Sequence, residues 1–227
     1  IIVINENRII RLSPEEEKGR KNGGRVLEEA SFIAGGNSIA GGPNQGTDNR
    51  LQNEEQIKLL IQYADANNLW WKDHDSLGTY IDHGDEQTVF ARPEEMMVYK
   101  YNDMSFHDSC VEFFDRLAIH NYLYPEAYYE MLGFTYSKKD IFSIVVRQPF
   151  VVCDRGAYRE EVIKEMAKQG YTHHGGTTFF DSNYIIEDLH PGNVLKLHNG
   201  DFAFIDPVIY LNTPDQDMGG SRQIGEY

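Results

Sequence analysis

Residues 183–208 read NYIIEDLHPGNVLKLHNGDFAFIDPV. Tyr184, Ile185 and Ile186 make an apolar approach to the polar run Glu187, Asp188, Leu189, His190, Pro191, Gly192 and Asn193. Val194, Leu195 and Leu197 predict the first arm of a hairpin. Phe202, Phe204 and Ile205 predict the second, ended by Asp206-Pro207. Asn199-Gly200 between the arms is a two-residue turn signal, because both residues accept positive φ. Asp188, Asp206 and the amide of Asn193 are thereby brought to one end of a small hairpin. Magnesium-dependent phosphoryl transfer needs such a set: a carboxylate to orient or deprotonate a hydroxyl, and hard oxygen ligands for the metal. The bland alternative is a polar hairpin that merely carries acids.

Around this hairpin, the composition bounds the class. The 227 residues allow one large domain or two small ones. Hydrophobic residues at 41% and aromatics at 12% suffice for a packed core. The 21 basic and 36 acidic residues leave a formal net charge of −15, and no basic stripe offsets it. Such a surface repels nucleic acid and anionic membrane. No apolar run approaches the ~20 residues that span a bilayer. Cys110 and Cys153 have neither metal-ligand spacing nor a disulfide-rich context, so they read as free thiols of a reducing, cytoplasmic compartment. The chain opens on Ile1-Ile2-Val3-Ile4 without Met, as a piece of a larger parent chain with further domains does.

Upstream of the hairpin the texture changes twice. Residues 1–12 alternate loosely, as a strand does, and Ser13-Pro14-Glu15-Glu16 signals a helix start. Gly23-Gly24 breaks that helix, and residues 25–34 read as a second. Residues 35–50 hold five glycines and read as a linker. Asn53-Glu54-Glu55-Gln56 opens a helix whose Ile57, Leu60, Ile61 and Ala64 share one face. Trp70-Trp71 then docks it onto the next layer. From Leu77 three strand-like runs succeed one another, at residues 78–81, 87–91 and 96–100. Ser105-x-x-Asp108 caps a helix to about Tyr122 with Phe106, Cys110, Phe113, Phe114 and Leu117 apolar. Residues 128–136 and 141–147 complete five strands. Residues 158–169 form an amphipathic helix, and His173-His174-Gly175-Gly176 reads as a polar loop rather than a metal site.

Asp188-Leu189-x-Pro191-x-Asn193, with Asp206 thirteen residues later, resembles the catalytic core of the protein-kinase-like fold. That resemblance implies a role for each of several residues. Asp188 takes the role of catalytic base, and Asn193 and Asp206 hold Mg²⁺. Lys100, closing Val98-x-Lys100, pairs with the phosphates of ATP. Glu112 or Asp115 on the next helix pairs with Lys100, and both stay open. Gly84 and Val89 flank the nucleotide from the small lobe, and Gln148 and Phe150 belong to the interlobe hinge. Three departures stand out. Ile186-Glu187 replaces His-Arg, Pro207-Val208 replaces Phe-Gly, and only Gly84 falls on one of the three glycine positions of the phosphate loop, Asp82 and Gln87 taking the others.

Only 21 residues come after Asp206, too few for a full large lobe. Together with Phe114-Asp115-Arg116-Leu117, His120-Asn121, Tyr124-Pro125 and Leu132-Gly133-Phe134, this is similar to the minimal kinase domain of polyvalent proteins of phages and mobile elements. The expected fold is α+β: a two-lobed kinase-like domain with a five-stranded small lobe and a truncated large lobe, preceded by a helical segment. The expected divisions are residues 1–50, 51–147 and 148–227. The expected function is ATP- and Mg²⁺-dependent phosphoryl transfer to a hydroxyl acceptor that the sequence does not reveal. A pseudokinase acting as a nucleotide-binding or scaffolding module is the alternative. An unrelated metal-dependent hydrolase is a second, with no role for Lys100.

Overall fold

The computed structural model describes residues 2–3, 9–10, 23–35, 49–84, 87–104, 107 and 109–212. The chain forms two compact units, Ile1–Val151 and Val152–Tyr227. In the first, β1 (Ile2–Val3) and β2 (Ile9–Ile10) pair antiparallel. Helices α1 (Gly23–Gly35) and α2 (Asn49–Asn67) come next. Then come β3 (Thr79–His83), β4 (Gln87–Arg92), β5 (Met97–Asn102), α3 (Cys110–Leu123), β6 (Glu130–Tyr136) and β7 (Phe142–Pro149). The five strands form one antiparallel sheet in the order β3-β4-β5-β7-β6.

Both faces of this sheet are covered, and the period of two shows in which residues go where. Ile144 and Val146 of β7 join Leu60, Phe114 and Phe134 in a core against α1, α2 and α3. Val145, between them, faces Leu77, Phe90, Tyr99 and Tyr101 on the other side. Strand β7 is therefore a nearly continuous apolar run, Phe142-Ser143-Ile144-Val145-Val146, with every one of those residues buried.

The edge strand β6 is sheltered by the chain that leaves α2. Phe134 N donates to Leu69 O at 2.9 Å, and Trp71 N donates to Phe134 O at 2.7 Å. Gly133 makes this possible. Its φ is +145°, and a Cβ there would stand 2.1 Å from Leu69 O. Trp70 stacks on Tyr136 with ring centroids 5.1 Å apart, so Trp70-Trp71 docks α2 as expected. Gln56 on α2 is buried, and its Oε1 accepts the Cys110 N–H at 3.0 Å, capping α3 together with Ser109.

The second unit holds β8 (Arg155–Gly156), α4 (Arg159–Lys168), β9 (Thr172–Gly175), β10 (Thr178–Phe180), β11 (Tyr184–Glu187), β12 (Val194–Lys196), β13 (Phe202–Phe204) and β14 (Val208–Leu211). They form a four-stranded sheet β14-β11-β10-β9 and a three-stranded sheet β13-β12-β8.

Several sequence expectations need correction. Helix α1 begins at Gly23, two residues before the expected start at Arg25; the helix expected at Ser13 lies outside the described residues, as do most of the linker and the tail after Asn212. Helix α2 starts at Asn49 rather than Asn53. Ser109, not Ser105, caps α3, because its side chain reaches the Glu112 N–H; Ser105 and Asp108 lie outside the described residues. His173 and His174 lie on β9, not in a loop, with their rings against Phe179 and Phe180, and the turn comes at Gly176-Thr177, with Gly175 and Gly176 both at positive φ. Both cysteines are free, as expected.

Candidate functional site

In the second unit the stretch from residue 187 to 193 is locked by its own side chains. Strand β11 ends at Glu187, paired with Val208. The chain then reverses at Asp188, whose φ of +61° is left-handed. Such a conformation costs a non-glycine residue about 1 kcal/mol or more and is best tolerated by Asn and Asp. The strain is held by hydrogen bonds. Asn193 Nδ2 donates to Asp188 Oδ2 at 3.0 Å and to Asp188 O at 3.1 Å. The N–H groups of Asn193 and Val194 close back onto His190 O. His190 Nδ1 accepts the Gly192 N–H at 2.9 Å, so the ring carries its proton on Nε2. That nitrogen stands 3.7 Å from Asp188 Oδ1.

The hairpin β12–β13 brings Asp206 to the same end. Val194 pairs with Phe204, and Ile205 N donates to Asn193 O at 2.9 Å, one residue before Asp206. Burial pushes the Asp188 carboxyl above its ordinary range, the charge of Asp206 adds to this, and His190 and Asn193 pull it back. The three side chains singled out in the sequence are therefore gathered at one end of the hairpin. The turn itself is longer than expected. Leu197 N pairs with Asp201 O, Gly200 N with Leu197 O, and only Gly200 takes positive φ, so His198, Asn199 and Gly200 form a three-residue loop.

Below this loop runs β8. Gly156 pairs with Leu195, and a Cβ on it would stand 2.2 Å from Pro191 O. Arg155 beside it makes a two-pronged ion pair with Glu161 of α4, at 2.7 and 2.9 Å, and lies over the Tyr158 ring. Among the described residues no three His, Cys, Asp or Glu side chains cluster as a metal cage.

In the first unit Lys100 sits in the middle of β5, across from Val89 on β4 and Val146 on β7. It is only 6% exposed, and its Nζ donates to Tyr129 Oη at 3.1 Å. A buried ammonium needs such partners, since an unpaired one loses its hydration without return. On α3, Glu112 Oε1 accepts from Arg116 at 2.5 Å, and Asp115 is half-buried one turn further on. Gln148 is buried on β7 and donates to Ala127 O at 2.9 Å. Phe150 is exposed, and its N–H is taken by Met96 O at 2.8 Å. Gly84 closes the β3–β4 hairpin through its N–H to Gln87 O at 2.9 Å. It has no positive φ, and among the described residues a Cβ there would meet only Gln87 Cγ at 4.0 Å.

Residues 53–213 match the family described as a serine/threonine/tyrosine kinase found in polyvalent proteins. The chain belongs to this family. Among curated proteins none matches the chain. The family match covers α2 from Asn53 on, the five-stranded sheet and all described residues of the second unit, and the fold is the α+β kinase-like one that the resemblance implied. It makes the chain a kinase-like domain, and phosphoryl transfer is the family's general chemistry. No helix among the described residues is long and apolar enough to cross a membrane.

Sequence reasoning missed several residues around these sites. Tyr129 lies 29 positions from Lys100, and no local pattern links them. Gly156 comes after Asp154-Arg155 and carries only the generic signal of an isolated glycine before a helix. His120-Asn121 entered the sequence reading only as part of the resemblance; in the last turn of α3 the Asn121 amide reaches both backbone groups of Tyr129.

Proposed function

We propose that this domain transfers the γ-phosphoryl group of ATP to a hydroxyl acceptor, with Mg²⁺ as its metal. The observation that carries this reading is the Asp188–Asn193–Asp206 cluster. Its backbone is bent into a strained conformation at Asp188, and the Asn193 amide grips that residue at both its carbonyl and its carboxylate. Strain held in this way at a half-exposed acid is a mark of function rather than of packing.

The donor set suits a hard divalent cation. Asp206 offers a carboxylate, and Asn193, whose Nδ2 is turned to Asp188, directs Oδ1 to a metal. A bound Mg²⁺ supplies charge neutralisation for the phosphates. Asp188 accepts the proton of the acceptor hydroxyl and orients its oxygen. Asn193 holds Asp188 at Oδ2, while Oδ1 lies on the side of His190. Lys100 directs its ammonium to phosphate oxygens. Glu112 or Asp115 serves as the acid partner of Lys100, Glu112 being shared with Arg116.

A second reading, a nucleotide-binding or scaffolding pseudokinase, has one observation in its favour. Among the described residues, Gly84 shows neither the positive φ nor the crowded Cβ that a phosphate cradle uses. Mg-ATP separates the readings. Saturation at a hundred times Kd adds ~2.7 kcal/mol, a rise in Tm of about 5–11 °C for this chain length. Asp206→Ala is expected to remove most of the metal-dependent part. No rise for the wild-type protein at millimolar Mg-ATP counts against nucleotide binding altogether; a rise without transfer to any acceptor, or to water, favours the pseudokinase.

A further inference from the structure

We propose that Tyr129 is the positioning residue for Lys100, so that α3 sets the place of the ammonium through a phenol. The inference rests on the reading of Lys100 as the phosphate-binding lysine. Lys100 lies on the face of β5 opposite to Tyr99 and Tyr101, pointing to the side where α3 packs. Its Nζ meets Tyr129 Oη at 3.1 Å in a buried setting. A phenol that accepts one N–H of an ammonium fixes the direction of the others without cancelling the charge.

The phenol is itself fixed from α3. Asn121 Nδ2 donates to Tyr129 O at 2.7 Å, and Asn121 Oδ1 accepts the Tyr129 N–H at 2.6 Å. The buried His120 places its ring 4.8 Å from that of Tyr129. His120 Nε2 donates to Ala127 O at 2.8 Å, and Gln148 Nε2 of β7 donates to the same oxygen at 2.9 Å. The connection from α3 to β6 is thus bolted to the helix on one side and to β7 on the other. A shift of α3 carries Tyr129 with it, and the hydroxyl that steadies Lys100 moves too. This gives the polar pairs Asn121–Tyr129 and Gln148–Ala127 a purpose that packing alone does not require.

Binding of ATP and of adenosine to the intact chain tests the assignment. Tyr129→Phe keeps the ring and removes only the hydroxyl. It is expected to weaken ATP about 3- to 10-fold, the scale of one hydrogen bond, and to leave adenosine unchanged, since adenosine has no phosphate for Lys100 to meet. In a Lys100→Met background the Tyr129→Phe effect on ATP is expected to vanish. Asn121→Asp, which keeps the acceptor for Tyr129 N–H but loses the donor to Tyr129 O, is expected to act in the same direction and more weakly. An unchanged ATP affinity in Tyr129→Phe alongside a weakened Lys100→Met overturns the inference alone. Equal losses for ATP and adenosine also overturn it, because they report a merely structural role. An unchanged ATP affinity in Lys100→Met overturns the phosphate role of Lys100, and the inference with it.

Discussion

The Asp188 loop is cross-bonded around a left-handed residue, whereas the described residues of the β3–β4 hairpin near Gly84 are joined by side chains, Tyr80 Oη meeting His83 Nδ1 at 2.7 Å, on a backbone with no positive φ. In the first, a left-handed Asp, an Asn that grips it twice, a His with a fixed proton and a glycine pressed under Pro191 define one arrangement. In the second, Asp82 Oδ1 accepts the His83 N–H, Tyr80 and Ile81 are half-exposed, and Gly84 occupies a conformation open to any residue. Both loops carry phosphate-directed roles in the kinase resemblance. Of these two loops, the described residues show positive φ and close backbone approach at the Asp188 loop and neither at Gly84. Backbone strain, close approach and cross-bonding are physical costs, and they gather where a site must be preorganised.

Four substitutions probe this contrast. The largest effect belongs to Asp188→Asn. Asn suits positive φ and keeps an oxygen for Asn193, so the fold and Mg-ATP binding are expected to persist. Phosphoryl transfer, or slow ATP hydrolysis, is expected to fall by roughly 10²-fold or more, because the proton acceptor is gone. Turnover equal to that of the wild type would remove Asp188 from the role of base.

Gly156→Ala comes next. Its Cβ would stand 2.2 Å from Pro191 O, a backbone atom with no rotamer to yield. The loop must shift, at a cost of about 1–3 kcal/mol in stability, with transfer impaired beyond what lower stability explains. Urea unfolding beside a rate measurement checks both.

Glu161→Gln is expected to act more mildly and in a pH-dependent way. The Arg155 guanidinium first, then the Tyr158 N–H, hold the Glu161 carboxyl down at about 2, below its ordinary 4.5. A depressed folded-state pKa contributes stability that is present above the unfolded value and lost as pH falls through the folded one. The melting temperature of Glu161→Gln is therefore expected to lie below that of the wild type at pH 7, and the gap to close between about pH 4.5 and pH 2. A gap independent of pH would mean that packing, not the ion pair, holds β8 to α4.

The smallest effect is assigned to Gly84→Ala. With no described atom closer than Gln87 Cγ at 4.0 Å, it is expected to change stability by no more than about 0.5 kcal/mol and ATP affinity by less than about twofold. A large loss of ATP affinity would show that the hairpin needs its glycine only when nucleotide is bound, and would narrow the contrast between the two loops.

Short-range chemistry was legible in the residues alone. The spacing from Asp188 to Asn193 and on to Asp206, the two apolar arms around Asn199-Gly200, the five strands and the apolar face of α3 all rest on neighbours a few residues apart. Pattern and period carry such information directly. Partners that lie far apart in the chain emerged only from the folded arrangement: Tyr129 at Lys100, Gly156 beneath Pro191, Leu69 against Gly133, and Gln56 at the start of α3. So did the placing of His173 and His174 on a strand, because their Phe partners arrive from β10. These contacts satisfy buried donors and fill close approaches created by packing. Which donor meets which acceptor is therefore fixed only once strands and helices have taken their places.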